Sequence, residues 1–171
     1  MPATKTMTFG DLLVYLELLL LLGIANGTPL FTNTALRQRF NRPLDGGRLF
    51  FDGRPLFGPS KTVRGVVAAL VLTPLAGVAL GLDVLGGLLI ALFAMIGDLC
   101  SSFTKRRLGL PSSSQAIGLD QIPESLFPLI AVRHRYDLDA LEIAVLVVLF
   151  VVLELLFSRV LFRLRLRDRP Y

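Results

Sequence analysis

The sequence has no tryptophan, one cysteine and one histidine among 171 residues. Cys100 alone can form no internal disulfide and has no companion for a thiolate metal site, so it reads as a small, buried apolar residue. His134 has no second imidazole to work with and is expected at an interface. Acidic groups are also in deficit: 13 Asp and Glu stand against 18 Lys and Arg, for a net charge of +5. In a soluble chain that imbalance would raise nucleic acid as a partner, but here the cations fall between apolar runs, where membrane topology accounts for them, and nucleic acid is excluded. No small-x-small cleavage site follows the first apolar run, which continues through Gly23 to Phe31, so it is read as a retained anchor. There is no repeat of fixed period and no low-complexity tract beyond the leucines, and the odd number of apolar segments gives no sign of an inverted-repeat transporter.

What is present is apolar surface: 53% of the residues are hydrophobic, mean hydropathy is +0.66, and several runs reach 18 residues. Soluble domains of this size do not carry such runs. The chain is therefore expected to be an all-α integral membrane protein, a single domain of five transmembrane helices over about 11–31, 63–82, 84–103, 120–136 and 138–162. Polar loops over about 32–62 and 104–119 separate them. The fourth span is the weakest by hydropathy, with Gln121, Pro123, Glu124 and Pro128 inside it; charge decides in its favour. With five spans, the first loop (Arg37, Arg39, Arg42, Arg48, Arg54, Lys61, Arg64), the loop after span three (Lys105, Arg106, Arg107) and the tail (Arg159, Arg163, Arg165, Arg167, Arg169) share one side and hold 15 of the 18 cations. The positive-inside rule makes that side cytoplasmic, in a multi-pass protein of the cell membrane with its N-terminus outside. A helix over 119–136 would measure about 27 Å at 1.5 Å per residue, just enough for a hydrocarbon core of about 30 Å.

The stretch Gly97 to Arg107 concentrates the polar chemistry. Val84 to Ile96 carries no charge, so Asp98 falls inside the hydrocarbon edge, where an ionisable residue is expensive and by default functional. Asp98, Ser102 and Lys105 are spaced i, i+4, i+7 and share one helical face, a carboxylate below and a cation above, which suits a metal-bound phosphate. The bland alternatives are a packing hydrogen bond from Asp98 to a neighbour such as Asn26, and snorkelling of the three cations, the reading preferred for Arg107. Asp120 and Glu124, spaced i, i+4, share a face of span four at the level of Asp98, although Asp120 alone would also serve as an N-cap. Carboxylates meeting from neighbouring helices make a hard-oxygen site suited to Mg²⁺, with Asp98, Asp120 and Glu124 as candidate ligands. Asp83 is read as the N-cap of span three. The tetrapeptide Asn26-Gly27-Thr28-Pro29 either ends span one at the interface or faces a ligand.

The first loop invites a false reading. Gly53 to Gly58 followed by Lys61-Thr62 imitates a P-loop, but Pro59-Ser60 intervene before the lysine and no buried strand precedes it. Its glycines still expose backbone N–H groups, and Lys61 and Arg64 stand at the start of span two, where the helix dipole favours an anion; the loop binds phosphate or anchors lipid headgroups.

Gly97-Asp98-Leu99, Ser102-Phe103-Thr104-Lys105-Arg106 and Leu119-Asp120-Gln121-Ile122 together resemble the C-terminal motif of the membrane-bound CTP:phosphatidate cytidylyltransferases, Ser-x-x-Lys-Arg and later Asp-Arg-x-Asp. Gln121 replaces the arginine, Glu124 stands one position late, and the family's Lys-Asp and His-Gly-Gly are missing from 108–118. Those departures, with Pro43-Leu44-Asp45-Gly46-Gly47, Asp52-Gly53, Phe57-Gly58, Lys61-Thr62 and Arg64-Gly65, resemble the archaeal branch, the CDP-archaeol synthases. The resemblance implies a Mg²⁺-dependent transfer of CMP from CTP to an unsaturated archaeal ether lipid, 2,3-bis-O-geranylgeranylglycerol 1-phosphate, releasing pyrophosphate. It implies catalytic roles for Asp98, Lys105 and Asp120, with Asp98 and Asp120 on Mg²⁺, Lys105 and Arg106 on the CTP phosphates, and Lys61 and Arg64 on the triphosphate or the lipid phosphate. Ser102, Gln121, Asn26, Asp45 and Asp52 complete the candidate binding residues, the last two orienting the loop or touching nucleotide. The implied partners are CTP, a polyprenyl glycerol phosphate and membrane lipids, with a homo-oligomer allowed.

Two other classes compete. A CDP-alcohol phosphotransferase would need several aspartates at i+3 and i+4 on paired helices, and this sequence has no such cluster. A small transporter of an anion or phospholipid precursor would carry polar residues through the depth of several spans, whereas here polarity gathers at one membrane face.

Overall fold

The computed structural model describes residues 8–36, 39–114 and 116–163, the last three by backbone alone. Arg37, the Arg163 side chain, Arg165, Arg167 and Arg169, on which part of the expected sidedness rests, lie outside the described residues. Five helices appear in the expected order: α1 (Phe9–Leu36), α2 (Val63–Ala79), α3 (Val84–Arg107), α4 (Gln121–Val132) and α5 (Ala140–Arg163). Among the described residues there is no strand, only isolated bridges between Pro43 and Thr62 and between Leu49 and Pro55.

Helix lengths depart from expectation in two places. α1 does not stop at Asn26-Gly27-Thr28-Pro29 but continues to Leu36. Pro29 withholds an N–H from the helix, and the neighbouring polar side chains fold back on its carbonyls: the Asn26 amide donates to Leu22 (3.0 Å), Thr28 to Ile24 (2.6 Å) and Thr32 to Thr28 (2.7 Å). α4 is the shorter surprise, 12 residues instead of a span over 120–136. It ends because Arg133, His134 and Arg135 are exposed and the backbone turns through Asp137 at φ 51°. At about 18 Å α4 is well short of the hydrocarbon core. Three helices, α1, α3 and α5 over Ala140–Val160, are long and apolar enough to cross a membrane, while α2 and α4 are apolar but shorter.

Small residues set how closely the helices approach, as is usual where lipid gives no hydrophobic drive between them. A Cβ at Gly87 of α3 would lie 2.6 Å from the Pro74 Cα of α2, and one at Gly65 of α2 would lie 3.0 Å from the Pro29 Cβ of α1. Away from these contacts the core is aliphatic: Leu18, Leu21 and Leu22 of α1, Ile90 of α3, Leu129 and Val132 of α4, and Leu146 and Phe150 of α5. Asp83 caps α3 as expected, accepting from the Gly86 N–H at 2.9 Å, and also receives the Arg135 guanidinium from beyond α4 at 3.0 Å. Cys100, expected to be buried, is exposed on the flank of α3.

Candidate active site

The site begins with a glycine. A Cβ at Gly97 would overlap the carbonyl of Pro123, so only glycine lets α3 close on the first turn of α4. The next residues on either side, Asp98 and Glu124, are thereby brought side by side. Lys61 reaches Asp98 from the first loop and forms an ion pair with it. Its position is fixed from both flanks: the Lys61 carbonyl accepts from the Leu44 N–H (2.7 Å), and Thr62 caps α2 by accepting from Gly65. Burial works against the Lys61 ammonium, but Asp98, Glu124 and Asp120 more than offset it and hold its pKa above the usual lysine value.

One level up, a second pair repeats the pattern. Lys105 Nζ lies 2.6 Å from Asp120 Oδ1 and donates to the Ser114 carbonyl at 3.0 Å. Asp120 does not cap α4 through its side chain; its other oxygen accepts from the Ala116 N–H at 2.9 Å. The loop of 108–119 therefore folds back over the end of α3, with the Arg106 guanidinium donating to the Pro111 carbonyl at 2.8 Å and Gln121 accepting from Gly118 at 2.9 Å. The Arg106 Nε is buried without a hydrogen-bond partner among the described residues. The two loops meet where Ser60 and Ser112 lie 3.2 Å apart.

These groups line one end of a cavity of about 800 Å³. Asp98, Ser102, Lys105, Arg106, Asp120, Gln121, Glu124, Lys61 and Asn26 all face it. The buried Asn26 Oδ1 has no partner among the described residues, which favours the ligand-facing reading of that tetrapeptide over the terminus reading. The remaining wall is largely apolar, with Leu16, Leu20 and Ile24 from α1 and Phe150, Leu153 and Phe157 from α5. Among the described residues no three acidic, His or Cys side chains come together as a ready-made metal cage.

Three expected residues stand elsewhere. Arg64 grips the end of α1, donating to the Asn33 side chain through Nε (3.2 Å) and Nη2 (3.0 Å), and does not line the cavity. Asp45 organises the loop by accepting from the N–H groups of Gly47 (2.9 Å), Phe57 (3.0 Å) and Gly58 (3.1 Å). Asp52 lies at a hairpin tip paired with Arg107 at 2.7 Å. Arg107 is thus a clamp and not a snorkelling cation. Sequence reasoning passed over Glu154, which lines the cavity from α5 within electrostatic reach of Glu124. Its signal was legible: a lone carboxylate within an apolar run.

A cavity with cations and carboxylates at one end and a greasy wall at the other is built for a substrate with a charged head and a hydrocarbon tail. Comparison with known proteins agrees. Residues 28–171 match the family model described as CarS-like, CDP-archaeol synthase. The chain belongs to the CDP-archaeol synthase family. It is 33% identical to the CDP-archaeol synthase of Sulfurisphaera tokodaii, over 86% of this chain and 89% of that one. It is 34% identical to that of Pyrobaculum calidifontis, over 86% and 91%. Among solved structures, the fold is similar to an intramembrane enzyme for archaeal membrane lipids biosynthesis, with a TM-score of 0.71 and 31% identity over 83% of this chain and 90% of that chain. Motifs of both loops of this family member thus converge on one cavity, with Asp45, Asp52 and Arg64 as the scaffold around it.

Proposed function

We propose that this chain transfers CMP from CTP to an unsaturated archaeal ether-lipid phosphate, giving the CDP-activated lipid and pyrophosphate. The observation that carries the reading is the single cavity in which Lys61, Lys105 and Arg106 stand at one end and the apolar walls of α1 and α5 at the other. The ammoniums and guanidinium suit the phosphates, and the apolar wall suits polyprenyl chains entering from the bilayer. The proposal includes five membrane-crossing segments in one domain, α2 and α4 being completed by their flanking turns, in the cell membrane with the loops of 32–62 and 104–119 and the cavity mouth on the cytoplasmic side.

In the reaction, a lipid phosphate oxygen attacks the α-phosphorus of CTP as the bond to the bridging oxygen of pyrophosphate breaks. The nucleophile is already ionised at neutral pH, so no general base is needed. Catalysis then consists of positioning and charge neutralisation. Lys61 and Lys105 each sit on a carboxylate and exchange it for phosphate oxygens, and Arg106 holds the leaving pyrophosphate. Ser102, Gln121 and Asn26 supply neutral hydrogen bonds, and Glu154 faces the boundary between polar and apolar ends.

Dependence on Mg²⁺ belongs to the same proposal. Asp98 and Glu124 in mutual contact, with Asp120 a turn away, offer the one or two carboxylate oxygens that Mg²⁺ takes beside phosphate oxygens and water, and a site completed by substrate needs no cage of three protein ligands. Bound there, Mg²⁺ would supply Lewis-acid neutralisation of the phosphate charge. The test is radiolabelled CTP with purified protein, Mg²⁺ and an unsaturated ether-lipid phosphate. Label moving into the organic phase, and failing to do so with EDTA, supports the reading; no transfer by folded protein across several lipid phosphates overturns it.

A further inference from the structure

The cavity leaves one prominent feature unused. Residues 48–56 of the first loop form a tight hairpin: Phe50 N–H donates to the Arg54 carbonyl (2.8 Å), Leu56 N–H to the Arg48 carbonyl (3.2 Å), and Leu49 pairs with Pro55. Its tip carries Leu49, Phe50 and Phe51 in succession, with Phe51 99% and Leu49 63% exposed. Contiguous exposed apolar side chains of this size mark a contact surface more often than isolated ones do.

The hairpin is braced rather than loose. The Arg107 guanidinium lies against both the Phe50 and the Phe103 rings, 4.7 and 4.8 Å from their centroids. It also donates to Asp52 (2.7 Å) and to the Pro55 carbonyl (2.6 Å). In return Arg54 donates to the Arg107 carbonyl at 2.6 Å. This mount fixes the depth of the tip. Phe50 meets Phe103 edge-on at 5.3 Å, and Phe103 lies one turn inside the end of α3. Phe50 therefore lies beside the flank of α3, a helix long and apolar enough to cross a membrane, one turn or about 6 Å from its end. Arg48 at the base of the hairpin and Arg39 and Arg42 earlier in the same loop are exposed and carry positive charge.

We infer that the Leu49-Phe50-Phe51 tip inserts into the interface of the loop-bearing leaflet, with the adjacent arginines on anionic headgroups, and so holds the first loop, and Lys61 with it, against the bilayer. Aromatic rings at the interface flanked by cations are the arrangement by which peripheral segments bind anionic membranes. The inference is independent of the reaction assigned to the cavity.

Because the chain has no tryptophan, Phe51→Trp installs a single fluorescent reporter with no background. In vesicles of mixed anionic and zwitterionic lipid, the expected result is blue-shifted emission, lost when lipids brominated near the headgroup end of their chains are included, and unchanged as protein is diluted into more lipid. Emission at the water-exposed maximum, untouched by brominated lipid, overturns the inference. So does blue-shifted emission that brominated lipid leaves intact and dilution reverses, because a second copy of the chain would then cover the tip. Leu49→Trp carries the same measurement on the same face should the Phe51 variant not fold, and the same outcomes decide it.

Discussion

The seam between α3 and α4 and the seam between α1 and α5 line the same cavity and obey opposite rules. At the first, a glycine with no room for a methyl group sets Asp98 beside Glu124, with Lys61 on Asp98 and Lys105 on the neighbouring Asp120. At the second, a Cβ at Gly23 of α1 would meet nothing within 4 Å, and Leu153 and Phe157, which line the cavity from α5, are exposed. Charged groups in a low-dielectric site need sub-ångström placement because desolvation is repaid only by close partners. Hydrocarbon chains are bound by area, which many arrangements supply. Rigid packing stands where the charged groups gather, and slack stands along the apolar wall.

The contrast can be broken hardest at the carboxylates. Asp98→Asn and Asp120→Asn each remove one partner of a close ion pair on the wall that handles phosphate, and each is expected to lower CMP transfer by about 10²–10³-fold or more while the protein still inserts and folds. Near-normal transfer in both would sink the assignment of the polar end as the reaction centre. Gly97→Ala comes next. It removes no charged group but forces α3 away from Pro123, and a displacement of about 1 Å is worth about 10²-fold in rate. Gly23→Ala, the same change at the slack seam, is expected to stay within about twofold of the parent, as an added methyl group there meets no neighbour. Equal losses in the two variants would show that the seams do not differ as described. Gly23→Phe sharpens the point by filling the apolar trough: KM for long-chain lipid phosphate is expected to rise by about 10-fold, with kcat and the KM for CTP little changed.

The tight seam was partly legible in the residues themselves, the slack one hardly at all. Asp98, Ser102 and Lys105 stand on one face by helical spacing, and that face lines the cavity. What spacing could not disclose is the job of Gly97, because a close approach is a property of two helices, and nothing in the run from Val84 to Ile96 names Pro123 as the partner. Arg64 and Asp52 illustrate the converse. Asp52 is a charge in the first loop and Arg64 one in the helix turn that follows it, and each proves to tie that loop to a helix end, a distinction that depends on which way the backbone turns at 39–42 and 50–54. Hydropathy ranked α4 as the weakest span, and its 12-residue length explains why; the inward-facing Glu124 and Gln121 are also what dilute its apolar signal.

The smallest expected effect concerns Asp45, which belongs to neither seam but shapes the loop that delivers Lys61. Burial pushes its carboxyl pKa up, yet the N–H donors of Phe57, Gly47 and Gly58 outweigh this and hold it below the usual carboxylate range. A depressed folded-state value means the unfolded chain binds its proton first on acidification. Asp45 therefore contributes its full stabilisation of the loop above its unfolded pKa of about 3.9, and the contribution fades as pH falls through the lower folded value. Amide exchange at Phe57 and Gly58, corrected for its intrinsic pH dependence, is expected to show protection that is constant at neutral pH and declines below about pH 4. In Asp45→Asn the same amides are expected to be less protected at neutral pH and to lose that acid-dependent step. Protection that falls identically in both proteins would assign the acid sensitivity of the loop to a group other than Asp45.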